Sequence, residues 1–251
     1  DIDSRDDHLQ FLRHLAAYEF VKGQLSSQQT VLEVGCGEGY GSNYLSKSCK
    51  EIVGIDVETS AIGHAEKKYT TDNCSFKVYN GSNIPYPDSR FDLIVSFQVI
   101  EHVSDDAAFV KELGRVLKPG GSAFITTPNK TYRLKPGQKP WNRYHKREYY
   151  PKELEAVLQK VFPQAKVWGV FGNEEITQIE FNRVKTGLLL SLVARLQIRR
   201  FIPESLDFII ARMIRTIKGK KVAPANDKSF LDHYKLSDFA VKGNAVDMAV
   251  G

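Results

Sequence analysis

An apolar, β-type run, Val31-Leu32-Glu33-Val34, breaks into glycines at Gly35, Gly37, Gly39 and Gly41 and leads into a helix-like stretch from about Tyr40 to Lys47. Glycine has no Cβ, so a strand-to-helix turn built this way can take positive φ and press bare backbone against a ligand. The helix that follows would aim its free N–H groups at the same point. The ligand expected there is a nucleoside-containing cofactor.

After Thr30 the pattern alternates strand-like and helix-like pieces. Strands are expected at Val31–Val34, Ile52–Ile55, Ser75–Tyr79, Phe91–Phe97, Ser122–Thr127 and Ala165–Phe171, with Ala245–Val250 returning as an edge strand. Helices are expected near Gly41–Lys47, Ser60–Tyr69, Asp105–Leu117 and Pro151–Val161, preceded by an amphipathic helix over Asp6–Leu25. Such alternation predicts an α/β fold with a doubly wound, mostly parallel, seven-stranded sheet. Ligands of that architecture sit at the carboxyl ends of the strands, where the glycine run, Asp56, Asn80 and Phe97 fall. The division expected is an N-terminal helix over 1–29, a core over 30–172 and 241–251, and a basic helical insertion over 173–240.

The insertion is marked by its charge. Arg183 to Lys221 holds ten cations against two anions, a net +8, which leaves −3 for the remainder of a chain whose net charge is +5. Cys36, Cys49 and Cys74 are odd in number and lack CxxC spacing, so they read as reduced, buried thiols, not as a disulfide framework or a zinc site. No apolar run approaches the roughly 18 residues of a membrane span and no leader opens the chain, so a cytoplasmic location is expected.

A dinucleotide fingerprint needs G-x-G-x-x-G, and both registers fail: the third glycine position is Tyr40 counted from Gly35 and Ser42 counted from Gly37. The series is instead Glu33-x-Gly35-x-Gly37-x-Gly39. It is joined by Val53-Gly54-Ile55-Asp56, Ile84-Pro85-Tyr86-Pro87-Asp88-Ser89-Arg90-Phe91-Asp92, Val99-Ile100-Glu101-His102-Val103 and Arg115-Val116-Leu117-Lys118-Pro119-Gly120-Gly121. In these motifs the chain resembles the class I S-adenosylmethionine-dependent methyltransferases, and the resemblance runs from about Thr30 to Asn129. It implies S-adenosyl-L-methionine as cofactor and S-adenosyl-L-homocysteine as product.

Asp56, ending a strand, could accept both ribose hydroxyls with its carboxylate, a strong charge-assisted geometry; the bland reading is a carboxylate capping the next turn. Glu33 could attract the cofactor's ammonium, or could be a core-edge carboxylate. Gly35, Cys36, Gly37 and Gly39 would approach the methionine portion, with Val57 next to Asp56. Asn80 stands where the resemblance leads one to look for an aspartate facing adenine, so its amide oxygen would have to accept that bond. Gly81 and Ser82 would add contacts, and Phe97 or Gln98 would close the other side.

Candidate catalytic bases are His102, Glu101 and His145; the competing reading is that Glu101-His102 only orients the next helix. The Glu-His-Val motif is similar to the ubiquinone-biosynthesis O-methyltransferases and the broad type-11 methyltransferase group, some of which associate a divalent metal here. Gln98 stands three residues before Glu101 where a ligating glutamate would be sought, so no metal is expected. Asn142-Arg143-Tyr144-His145-Lys146-Arg147-Glu148-Tyr149 is similar to a motif of methyltransferases assigned to bacterial surface glycans. There Asn142, Tyr144 and Arg147 would bind an acceptor, unless Arg147 and Glu148 merely pair with neighbours.

The expected activity is methylation, at oxygen, of a small, sugar-like or lipid-linked acceptor by direct in-line transfer. Alternatives are N- or C-methylation of another small molecule or of nucleic acid, a nucleotide-dependent oxidoreductase, and a non-catalytic S-adenosylmethionine-binding protein. Nucleic acid is disfavoured: Val95-Ser96-Phe97-Gln98 lacks the Asn/Asp-Pro-Pro-aromatic sequence of exocyclic-amine methyltransferases, and no Pro-Cys offers a nucleophile. Lys185–Lys221 would act as a lid over the acceptor, as a helical pair with a solvated basic face, or as an amphipathic surface on an anionic membrane, which would make the protein peripheral to it.

Overall fold

The computed structural model describes residues 5–134, 137–140, 142–172, 234–238 and 245–250. The basic stretches at 188–196 and 206–217, expected to be helical, lie outside the described residues. Five parallel strands form the sheet's first half: β1 (Thr30–Val34), β2 (Glu51–Asp56), β3 (Cys74–Val78), β4 (Phe91–Phe97) and β5 (Leu117–Pro128). Three further strands, β6 (Val167–Gly172), β7 (Tyr234–Asp238) and β8 (Ala245–Val250), complete an eight-stranded order β3-β2-β1-β4-β5-β8-β6-β7.

Two of these strands correct the sequence reading. β8 is not an edge strand, because it lies between β5 and β6 and runs antiparallel to both. A terminal strand that enters antiparallel needs no crossover helix and can fill an interior slot. β7 takes residues 234–238, inside the span expected to be insertion, and pairs antiparallel with β6 from Trp168↔Asp238 to Gly172↔Tyr234. The sheet therefore has eight strands among the described residues, not seven, and its edge is β7.

Strand periodicity sorts the core into two faces. On one face Leu32, Val34, Val53, Ile55 and Ile94 meet Phe109, Val110, Leu113 and Val116 of α4 (Asp106–Val116) and Leu154 and Leu158 of α6 (Pro151–Leu158). On the other, Val31, Ile52, Leu93 and Val95 meet Tyr18 and Val21 of α1 (Arg5–Lys22), Leu45 of α2 (Tyr40–Ser46) and Ile62 and Ala65 of α3 (Thr59–Tyr69). The alternation also carries Glu33 into the α1 and α2 side. All three cysteines are free and buried.

The helix starts follow local chemistry. Asp105 caps α4, accepting from the Ala108 amide at 2.9 Å, and α6 opens with Pro151 while the Glu153 carboxylate accepts from the Tyr150 amide at 3.0 Å. A single turn, α5 (Lys130–Arg133), is too short to carry a helical period, and Asn129 starts it by accepting from the Thr131 amide at 3.0 Å. The chain turns between β1–β3 and β4–β5, so the switch point of the sheet opens between the carboxyl ends of β1 and β4.

Gly114 lies in α4 where a Cβ would stand 2.3 Å from Cγ1 of Val161. Gly114→Ala should lose stability despite the gain of about 1 kcal/mol in helix propensity, because overpacking costs roughly 1–3 kcal/mol. Urea unfolding checks this; a variant more stable than the parent would refute the close approach.

Candidate functional site

The β1 turn is built from backbone that side chains would block. Gly35 has φ +79°, its amide donates to the Ile55 carbonyl at 2.8 Å, and a Cβ there would stand 2.2 Å from Cγ2 of Val99. Gly39, φ +83°, starts α2 where a Cβ would meet Ala65 and Phe76 at 2.7 Å. Around Gly37, by contrast, no atom lies within 4 Å of the Cβ position. One oxygen of Asp56 accepts from the Gly37 amide at 2.8 Å and the other from the Glu58 amide at 3.0 Å. The end of β2 is thereby bonded to the glycine turn.

A cavity of about 700 Å³ opens beside this turn. Gly35, Asp56, Val57, Gly81, Ser82 and Gln98, six of the expected cofactor residues, line it together with His102, a candidate base. Val57 is 58% exposed, an apolar side chain left open beside a carboxylate. Gln98 holds φ +58°, uncommon for a residue with a side chain, and bonds β5 through its amide to the Thr126 carbonyl at 2.9 Å and its side chain to Thr126 Oγ1 at 3.2 Å.

Glu33, Cys36 and Phe97, also expected at the cofactor, are buried outside the cavity lining, and Asn80 is exposed outside it. Glu33 is 1% exposed, and its two oxygens accept from the hydroxyls of Tyr18 and Ser42. Burial pushes its carboxyl up to about 7 against the pull of those bonds. Cys36 and Phe97 are buried, Phe97 edge-on to Tyr18 with centroids 4.8 Å apart. The Asn80 oxygen accepts from the amides of Ser82 and Asn83 at 3.0 and 2.9 Å, so it shapes its own loop. Sequence reasoning missed Tyr79, Val103, Lys111 and Glu112 in the cavity wall; Tyr79 follows a strand end, but residues of α4 gave no signal apart from helical spacing.

The loop carrying the second cluster is fastened to the end of β4. The Glu101 carbonyl accepts from the amides of Lys146 and Arg147, and the Glu101 carboxylate accepts from Thr127 Oγ1 at 2.9 Å. His102 and His145 therefore meet edge to face, with ring centroids 4.8 Å apart. Nδ1 of His102 bonds the Tyr144 carbonyl at 3.1 Å, and Nδ1 of His145 bonds Glu148 Oε1 at 2.8 Å. Burial holds the His102 imidazole below its usual range. Burial alone would raise Glu148, but its bond to His145 and the charge of Arg133, 3.1 Å away, outweigh it and hold this carboxyl below the usual range.

Glu101, His102 and His145 each offer one donor atom, and these lie within 4.8 Å of one another, a grouping that could hold a metal ion. Gln98, standing where a glutamate was sought, brings no second carboxylate to it. Of the acceptor residues expected in this loop, Arg147 pairs with Asp106 at the start of α4, Asn142 caps the loop through the Tyr144 amide at 3.0 Å, and Tyr144 is 64% exposed under the Arg143 guanidinium. No described helix is long and apolar enough to cross a membrane.

Residues 32–125 match the family model described as a methyltransferase domain. A Mycolicibacterium smegmatis protein named "Probable S-adenosylmethionine-dependent methyltransferase" is 33% identical over 177 residues, which span 70% of this chain and 67% of that one. The mitochondrial ubiquinone biosynthesis O-methyltransferase of Dictyostelium discoideum is 36% identical over 116 residues, 41% of this chain and 36% of its own. Among solved structures, the YcgJ protein of Bacillus subtilis shares the fold with a TM-score of 0.52 and 18% identity, covering 94% of each chain.

Two outcomes follow from the geometry. Asp56→Ala removes a charged acceptor of the kind worth about 1.5–3 kcal/mol per hydrogen bond, so calorimetric titration should show S-adenosylhomocysteine binding weakened roughly tenfold to hundredfold; unchanged affinity would take Asp56 out of the site. Glu33 is the second. With its folded pKa near 7 and its unfolded value ordinary, the native state binds the extra proton, so stability falls as pH rises from about 4.5 to 7 and is level above. Glu33→Gln should flatten that fall, on the order of 3 kcal/mol in full, in melting curves recorded from pH 5 to 8; parallel curves would refute the shift.

Proposed function

Because the chain belongs to the S-adenosylmethionine-dependent methyltransferases, we propose that this enzyme methylates an oxygen of a small acceptor, sugar-like or lipid-linked, in the cavity between the glycine turn and His102. The observation that carries the reading is His102, an imidazole with its Nδ1 already bonded to a backbone carbonyl, standing in the wall of the same cavity as Gly35 and Asp56. The residues fit the cofactor. Room stands open at the Gly37 Cβ position, Asp56 presents a carboxylate at a strand end, and about 700 Å³ is within the range of small-molecule sites.

S-adenosylmethionine, when bound, supplies an electrophilic methyl group on a sulfonium. Asp56 accepts from the ribose hydroxyls, Val57 offers its apolar side chain to the adenine, and Gly81 and Ser82 close around the base. Glu33 fixes the turn from beneath, through Tyr18 and Ser42, and acts on the ammonium by its charge. Alignment by this frame is the larger contribution, roughly 7–11 kcal/mol. His102 takes the acceptor proton through Nε2, a contribution of about 10²–10⁴-fold. Glu101 holds the loop bearing His145, and Asn142, Tyr144 and Arg147 of that loop, outside the cavity lining, are the groups offered to the acceptor. The basic stretch Lys185–Lys221, read from sequence alone, adds an anionic-surface contact suited to a lipid-linked acceptor, on the cytoplasmic side.

Screening hydroxyl-bearing acceptors with a methyl-labelled donor tests the reading. Transfer to oxygen is expected, and His102→Ala should lower turnover about 10²–10⁴-fold with S-adenosylhomocysteine affinity intact. Transfer to amines alone would remove the oxygen assignment, and lost cofactor affinity in the variant would move His102 out of the acceptor side.

A further inference from the structure

Lys111 is a cation in the wall of the cavity that neither the fold nor the methyl-transfer step employs. It stands on α4 with Asp105, Ala108 and Glu112, which line the same wall. Its helical neighbours at three and four residues are Ala107, Ala108, Gly114 and Arg115, and none of them can pair with an ammonium. Glu112, the adjacent carboxylate, gives its oxygens to the Ile84 amide at 3.0 Å and to Nε and Nη2 of Arg115 at 2.8 Å. Among the described residues the Lys111 ammonium has neither a hydrogen bond nor an ion pair.

The loop from Gly81 to Asn83 runs from the end of β2 to α4 along the cavity. At one end Gly81, φ +78°, is pressed against Val57, whose Cγ1 lies 3.2 Å from the Gly81 Cβ position, next to Asp56. At the other end the Ile84 amide is bonded to Glu112, the neighbour of Lys111. Between these anchors Gly81, Ser82 and Asn83 all line the cavity. Asn80, where an acceptor for the adenine amino group was sought, lies outside the lining and gives its oxygen to the amides of Ser82 and Asn83. Recognition of the base therefore falls to groups in the wall itself. The Ser82 hydroxyl and the Asn83 amide can each donate or accept, whereas an ammonium only donates. The group it meets must be an acceptor.

We infer that Lys111 reads the base of the cofactor, its ammonium donating to N1 of adenine from the α4 end of the Gly81–Asn83 loop. It rests on reading this cavity as the S-adenosylmethionine site. With the ribose at Asp56, a base lying along the loop turns toward α4 the edge farthest from its sugar, and on adenine that edge carries N1, a ring nitrogen with a free lone pair. Selectivity follows. Hypoxanthine and guanine carry a hydrogen on N1, which sets a donor against a donor. A lysine that only solvated the surface of α4 would leave the ring nitrogens undistinguished.

The test is calorimetric titration of the full chain, parent and K111M, with S-adenosylhomocysteine and with its 1-deaza, 3-deaza and 7-deaza analogues, each of which replaces one ring nitrogen of adenine by C–H. Lys111 is exposed and methionine keeps most of its apolar stem, so the variant is expected to fold. The parent should bind the 1-deaza analogue about tenfold more weakly than S-adenosylhomocysteine, as loss of a charged hydrogen bond implies. K111M should bind those two alike, and any loss at N3 or N7 should be equal in both proteins. The inference is overturned by a parent that binds the 1-deaza analogue as tightly as S-adenosylhomocysteine, which is decisive even where K111M fails to fold. It is equally overturned by a folded K111M that keeps the parent's discrimination at N1, or by one whose altered discrimination falls at N3 or N7 instead. Absence of S-adenosylhomocysteine binding by the parent would refute the cavity as the cofactor site, and with it any reader of the base there.

Discussion

The hydrogen bond from the Gly37 amide to Asp56 holds the whole donor side together. It joins the ends of two adjacent parallel strands across the point where their chains diverge, and it does so with a carboxylate whose second oxygen accepts from Glu58, just before α3. Each oxygen of that carboxylate ties one amide, and the turn it ties down carries three positive-φ glycines at Gly35, Gly37 and Gly39. The cavity therefore inherits its shape from one anion. That anion is also the group suited to a ribose, so binding and folding draw on the same carboxylate.

Much of this half was legible because strand periodicity and glycine spacing are local. β4 begins and ends where the pattern placed it, at Phe91 and Phe97, while β1 gains one residue at its start and β2 one at each end. β1 is buried on both faces, and its β-branched Val31 and Val34 with the glycines that follow marked it as a short strand even with Glu33 inside it. The motifs that carried the resemblance farther along the chain have a different job. Arg115 donates to the carbonyls of Ile84 and Tyr86 and pairs with Asp88, so the segment before β4 is fastened to the last turn of α4. Two of the five sequence motifs thus hold each other, and neither is among the residues that line the cavity.

What escaped the sequence escaped for physical reasons. β8 pairs across more than a hundred residues with β5, and an antiparallel strand inserted beside a parallel sheet has the same alternation as one at the edge. The position of Glu33 along the chain was legible, but its burial and its partners were not: the period of two turns it toward the hydroxyls of Tyr18 and Ser42. Asn80 likewise keeps its oxygen for its own turn. In each case the residue was placed correctly along the strand and its side chain was decided by neighbours distant in sequence.

The loop after β5 shows the same limit in the opposite sense. Arg147 and Glu148 are adjacent, and sequence alone offered Arg147 to the acceptor, with pairing of both residues to neighbouring charges as the competing reading. Arg147 behaves that way, exposed and paired with Asp106. Glu148 is carried inward by one residue of chain direction, to a buried position between a guanidinium and an imidazole. An exposed pair is screened by water and contributes little, about 0–1 kcal/mol, whereas a buried one fixes proton positions because neither partner can be replaced by solvent. The donor half is thus held by backbone amides around one carboxylate, and the imidazole half by a buried side-chain chain from Arg133 to His145. Glycine turns can be read from spacing; a side-chain chain of this kind exists only once the loop is closed against β4.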